Sequence, residues 1–195
     1  TLISPLIISV MLSIVLQGML RDGVTTWMPS FIAETYNFSN AISILTGVIL
    51  PIFAIASLKM ASVLYQRKFN NPMSCSSFIF ALGAISALLL YFSIGKNALI
   101  SVLLSALLVA SMHGVNYVLI CLVPQFFKKH GNVSTVSGLL NSCTYIGSAI
   151  STYGFADISE KNGWGITLLV WLAIAVSGVV VCFLTIKPWK KKFDD

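Results

Sequence analysis

The sequence predicts an all-α membrane protein, a six-transmembrane-helix bundle forming a single membrane domain over residues 1–195. Three observations carry this. Hydrophobic residues make up 57% of the chain and charged residues 9%, with a mean hydropathy of +0.91, more apolar than a water-soluble fold can hide. The apolar residues fall in six long runs, and a helix crossing a hydrocarbon core about 30 Å thick needs roughly 20 such residues. The basic residues behind the net charge of +6 lie mainly in the gaps between runs, where membrane orientation explains them and no nucleic-acid partner is implied.

The first run, Ser4 to Ile32, is too long for a signal peptide and lacks a basic leader and a small-residue cleavage site; with Thr1 at its head, the chain reads as part of a longer polypeptide. Gly18, Gly23 and Pro29 interrupt this run, and Gly47 and Pro51 interrupt the second, Ala41 to Tyr65, which predicts kinks and close helix packing. Lys59, toward one end of the second run, is expected to snorkel to the interface. The third and fourth runs span Ser74 to Ile94 and Ala98 to Pro124. The fifth, Ser134 to Ala156, carries Gly147 and Ser151 one turn apart, and the sixth runs from Gly165 to Ile186. With no water in the bilayer core, backbone groups must bond within each segment, so long unbroken runs become helices; the shorter alternating segments of a membrane barrel are absent.

Orientation follows from charge. With the first run starting inside, Arg67, Lys68, Lys128, Lys129, Lys187, Lys190, Lys191 and Lys192 are cytoplasmic and only Lys96 and Lys161 external, eight against two, so both termini are expected in the cytoplasm. The basic clusters suit anionic headgroups of membrane lipid. External connections around Glu34 to Asn40, Gly95 to Asn97 and Asp157 to Trp164 are short, so any chemistry sits inside the bundle.

Arg21 is the most informative residue. It lies about 17 residues, roughly 25 Å, along the first run, near mid-membrane, where a charge is costly and marks a substrate or ion path. The structural alternative is a buried ion pair with Asp22, but adjacent helical residues do not share a face, so Asp22 is expected to be poorly placed to neutralise it. A guanidinium offers a planar fork of donors suited to carboxylate or phosphate, which points to a small anionic solute. Gln17, Arg21, Thr25 and Met28 follow at helical spacing, a stripe expected to form a cavity wall. In the fourth run His113, Asn116 and Tyr117 stand at i, i+3 and i+4. His113 either meets the anion or a proton during the cycle or ties two helices together. Asn141 and Tyr145 share a face of the fifth run with Ser148 and Thr152, either as a further cavity wall or, for the last two, as interhelical contacts.

Cys75, Cys121, Cys143 and Cys182 are scattered singly and read as small packing residues. The two histidines are far apart, with His130 in a basic loop. No nucleotide loop, zinc signature or nucleophile motif is present. No cofactor, metal site or catalytic residue is expected, and an enzyme has no positive support.

The stretch RDGVTTWMPSFI, with Arg21, Gly23, Trp27 and Pro29, resembles the first helix of the C-terminal half of major facilitator superfamily transporters in the organophosphate:phosphate antiporter branch, which includes glycerol-3-phosphate and hexose-phosphate transporters. SGLLNSCTYIGSAIS, Ser137 to Ser151, is similar to that branch's penultimate helix. The resemblance implies half of a major facilitator fold in a bacterial cell membrane, built from two inverted three-helix repeats whose first helices, the first and fourth runs, line the cavity. It implies an N-terminal six-helix half as partner, in the same chain or a paired one, and alternating access as a secondary active transporter exchanging an organophosphate with phosphate. Arg21 then contacts the phosphate, and His113 and Tyr145 fall among pore-lining groups, with His113 standing where the branch would have a tyrosine. Two other classes remain open: a membrane sensor of organophosphates, separated from a transporter by measured flux, and a six-helix substrate-binding component of a vitamin-uptake system, which needs a closed pocket and no missing half.

Overall fold

Three of the long helices begin where a short polar side chain caps them. In the computed structural model, which describes residues 4–193 apart from the side chains of Asn40, Lys129 and His130, Ser4 accepts a hydrogen bond from the Ile7 amide and opens α1, Pro5–Tyr36. Asn71 does the same for α4, Pro72–Ser93, through the Met73 and Ser74 amides, and Asn97 for α5, Ala98–Asn116, through Leu99 and Ile100. These caps satisfy amides that have no partner inside the helix. Pro5 and Pro72 sit in first turns, where a missing N–H costs nothing. Lys129 and His130, assigned above to a cytoplasmic loop, have side chains outside the described residues.

Five stretches are long and apolar enough to cross a membrane: Pro5–Tyr36, Ala41–Lys68, Pro72–Ser93, Ala98–Lys128 and Val133–Phe193. Among the described residues there is no strand. α1 is continuous through Gly18, Gly23 and Pro29 and runs four residues past the expected end at Ile32. The second stretch is divided as Gly47 suggested: α2, Asn40–Thr46, ends there, and α3, Ile49–Lys68, takes Pro51 into its first turn. The fourth departs from expectation. Beyond α5 the backbone winds as a π-helix over Tyr117–Leu122 and a 3-10 helix over Val123–His130. Pro124 supplies the reason, because its ring crowds the carbonyl four residues back and it has no N–H to offer. That carbonyl, Ile120 O, accepts instead from the Ser137 hydroxyl at 3.5 Å.

The expected external loop from Asp157 to Trp164 is also corrected: α6, Val133–Phe193, is helical on both sides of a single non-helical residue, Gly163, at φ 77° and ψ 173°. Its two arms run along α1 in opposite directions. In the first arm, Gly147 abuts Val15 and Met19, and Phe155 and Ser151 abut Gly23. In the second, Trp164 meets Glu34, Cys182 meets Ser13 and Lys192 meets Ser4. Phe155 and Trp171, eight residues either side of Gly163, meet with ring centroids 5.9 Å apart and planes tilted by 54°, as a hairpin requires.

α1 is therefore the axis of the molecule, with Val10, Ile14, Leu20, Val24, Met28 and Phe31 fully buried. Gly18 and Gly147 allow the α1–α6 contact: a Cβ on either would collide with backbone of the opposite helix, at Thr144 and Val15 respectively. This is the small-residue packing expected of Gly147 and Ser151. Cys75, Cys143 and Cys182 are buried as expected, whereas Cys121, within the π-helical segment, is exposed.

Candidate site at the middle of the first helix

Arg21 is the seventeenth of the 32 residues of α1, about 24 Å from its start. Its guanidinium donates from Nε to Asp22 Oδ1 at 2.6 Å and from Nη2 to Asp22 Oδ2 at 2.9 Å. The expectation that Asp22 is poorly placed is thus wrong. Adjacent Cβ atoms do diverge around a helix, but the arginine stem is long enough to fold its head back onto a short neighbour. An ion pair of this kind offsets the cost of an arginine in a membrane-spanning helix, about 2.5–3.5 kcal/mol for a lone arginine at the helix centre on an insertion scale.

The pair is not sealed. The Arg21 and Asp22 side chains are 17% and 28% exposed. Nη1 donates to Asn116 Oδ1 at 3.2 Å, tying α1 to the last residue of α5. Three of the five guanidinium hydrogens are used, which leaves one on each Nη. Two such donors on one planar group are able to bind the oxygens of an anion.

Of the other expected residues, His113 is half-buried one turn before Asn116, within electrostatic reach of Arg21 and Asp22. Tyr117, the first residue of the π-segment, donates its hydroxyl to Ser62 Oγ at 3.3 Å and so joins α5 to α3. Arg21, His113, Asn116 and Tyr117 thus form a continuous polar seam across α1, α5 and α3. Asn141 and Tyr145 are not drawn into it: both are exposed, Tyr145 at 64%, and neither hydrogen-bonds to another described residue. Their stripe continues to Thr152, whose carbonyl accepts from Trp27 Nε1 at 3.1 Å, so it runs beside α1 with an open face.

The stripe expected along α1 is corrected. Gln17 and Met28 are fully buried in the core and only Arg21 and Thr25 of that set reach the surface. The spacings are four, four and three, so at about 100° per residue Gln17 and Met28 fall at nearly the same angle while Arg21 and Thr25 are turned progressively to one side of them, and the first two face the core while the last two reach its edge. Both polar atoms of the Gln17 side chain lack a hydrogen-bond partner among the described residues.

Sequence reasoning misjudged one part of this seam and missed two. Asp22 was named as a partner and discounted, while Ser62 as acceptor and the π-winding at Tyr117 were not foreseen; for the last, Pro124 was the available signal. Among the described residues no group of three or more His, Cys, Asp or Glu could hold a metal.

A family model described as Major Facilitator Superfamily matches residues 2–152. No curated protein matches the chain.

Proposed function

The chain belongs to the major facilitator superfamily, a family of secondary transporters, and from that premise we propose that it forms the C-terminal half of a secondary active transporter for a small anionic, phosphorylated solute. The observation that carries the reading is Arg21: a guanidinium at the midpoint of α1, partly exposed, with one hydrogen on each Nη unengaged by another described residue. Asp22 holds the plane of the guanidinium from one side, Asn116 steadies it from α5, and the anion takes the remaining hydrogens. His113 and Tyr117 continue the seam along which the solute's polar groups are placed.

The same reading counts six crossings, taking the two arms about Gly163 separately, in two inverted three-helix repeats. Their first helices would be α1 and α5, the two that the Arg21–Asn116 hydrogen bond joins. The exposed stripe of Asn141 and Tyr145 suits the wall that faces an N-terminal six-helix half, with the site between the halves at the midplane. Rocking of one half against the other then gives alternating access, with both termini of this half on the cytoplasmic side of a bacterial membrane. Family membership replaces the vitamin-uptake reading.

The test is uptake of labelled phosphate and small organophosphates by proteoliposomes of the complete transporter, with and without phosphate inside. Arg21→Lys, which keeps charge but not the fork, is expected to lower uptake about tenfold. Arg21→Gln is expected to abolish it at unchanged folded yield, and exchange requires that uptake depend on internal phosphate. Unchanged uptake in both variants returns Arg21 to a structural role. No uptake of any phosphate by the natural protein favours the sensor.

A further inference from the structure

Away from the seam, two cavities meet at one corner of the bundle. The first, about 360 Å³, lies where α3 ends, α4 begins and α6 finishes; Lys68, Asn70, Ser74 and Lys190 line it. No acidic residue lines it, and neither lysine hydrogen-bonds or pairs with another described residue. Its wall is fixed: Asn71 is 5% exposed, caps α4 and donates to Ile186 O at 3.3 Å. Because that cap already occupies the first amides of α4, any attraction for an anion comes from the two ammonium groups and the Ser74 hydroxyl.

The second cavity, about 540 Å³, is an open apolar groove. It exists because α3 and α4 both pack on α5 while scarcely touching each other. Phe53, Met60 and Leu64 form one wall, Phe78 and Leu82 the other, and Leu107 lies on the floor. Leu64 precedes Lys68 by one turn, Phe78 follows Ser74 by one turn, and the Phe69 and Phe78 rings, 5.4 Å apart, separate the two cavities. From Leu64 back to Phe53 the groove runs 11 residues, about 16 Å. That matches half of a hydrocarbon core about 30 Å thick, the depth of one acyl chain.

We propose that this corner is a binding site for one anionic glycerophospholipid, its phosphate between Lys68 and Lys190 and one acyl chain in the groove between α3 and α4. Two lysines and no acid select a headgroup with net negative charge, and the groove demands a chain attached to it. The site rests on the chain being embedded in a membrane and is independent of the transported solute.

The test is native mass spectrometry of the complete purified transporter, which reads bound lipid rather than transport. The probes are dioleoylphosphatidylglycerol, its dihexanoyl analogue, dioleoylphosphatidylcholine and soluble glycerol phosphate. One dioleoylphosphatidylglycerol per protein is expected, held about tenfold more tightly than the dihexanoyl or phosphatidylcholine forms. Lys68→Gln with Lys190→Gln should weaken it about tenfold, and Ala56→Phe, which fills the groove from an exposed position, about fivefold. Lys187→Gln with Lys191→Gln removes the same charge outside the cavity and should leave binding unchanged. Equal loss in that control pair would reduce the corner to a diffuse basic surface and overturn the proposal. So would competition by glycerol phosphate with no dependence on chain length, which would make this a soluble-phosphate site, or the absence of retained lipid.

Discussion

At the level of single residues the arrangement turns on how one guanidinium is shared. Asp22 takes the edge formed by Nε and Nη2, and Asn116 takes one hydrogen of Nη1. An anion on the hydrogens that remain therefore sits near a carboxylate of its own sign. Asp22→Asn removes that repulsion, so the KM for anion uptake is expected to fall about tenfold, equivalent to ~1.4 kcal/mol. The melting temperature should fall at the same time, because Arg21 loses its ion-pair partner; a KM that is unchanged or raised would contradict the shared-fork geometry. The depth argument that selected Arg21 was legible in the sequence because it needs only distance along a run. The partner was not, because the rule that neighbours face apart describes Cβ directions and says nothing about where a long flexible stem ends.

Among elements, the contact that organises the bundle is the crossing of α1 with the first arm of α6. Gly147 lies against the backbone at Val15 and Met19, and Gly18 against Thr144. Gly147→Val is expected to destabilise the protein by about 1–3 kcal/mol through overpacking, read as a lower melting temperature in detergent. Gly154→Ala, where a Cβ meets nothing within 4 Å, should leave the melting temperature unchanged or raise it, since glycine in a helix interior costs about 0.5–1 kcal/mol relative to alanine. Equal losses in both would show that the crossing is not set by close approach. Small residues one turn apart announced this contact in the sequence. The π-segment after Asn116 was hidden, because hydropathy reads the same through Tyr117–Leu122 whether the winding is α or π; only Pro124 hinted at it.

For the molecule as a whole, composition and run length were enough to read an all-helical membrane protein, whereas five stretches are long and apolar enough to cross a membrane and the last two expected runs fall within one of them. The turn between the last two arms was misread as a loop because Asp157, Glu160 and Lys161 look like loop residues. They are instead exposed positions on a helix that continues to Gly163, with Lys161 paired to Asp157 at 2.6 Å across one turn. The whole reversal rests on one residue in a backbone region that side chains avoid. Gly163→Ala is expected to cost about 1–3 kcal/mol and to loosen the second arm from α1, seen as faster amide exchange around Cys182 and Trp171. Exchange unchanged from the natural protein would mean that the arms are held by packing alone.

That reversal bears on how the protein enters a membrane during synthesis. With only Gly163 departing from helical geometry, there is no extended linker to thread across ahead of the second arm. With both termini on the cytoplasmic side, as proposed above, the two arms enter together as a preformed hairpin, its tip carrying the charges of residues 157, 160 and 161 through the hydrocarbon. Lys161 with Asp157 crosses as a neutral unit, leaving Glu160 as the only unpaired charge at the tip among these three.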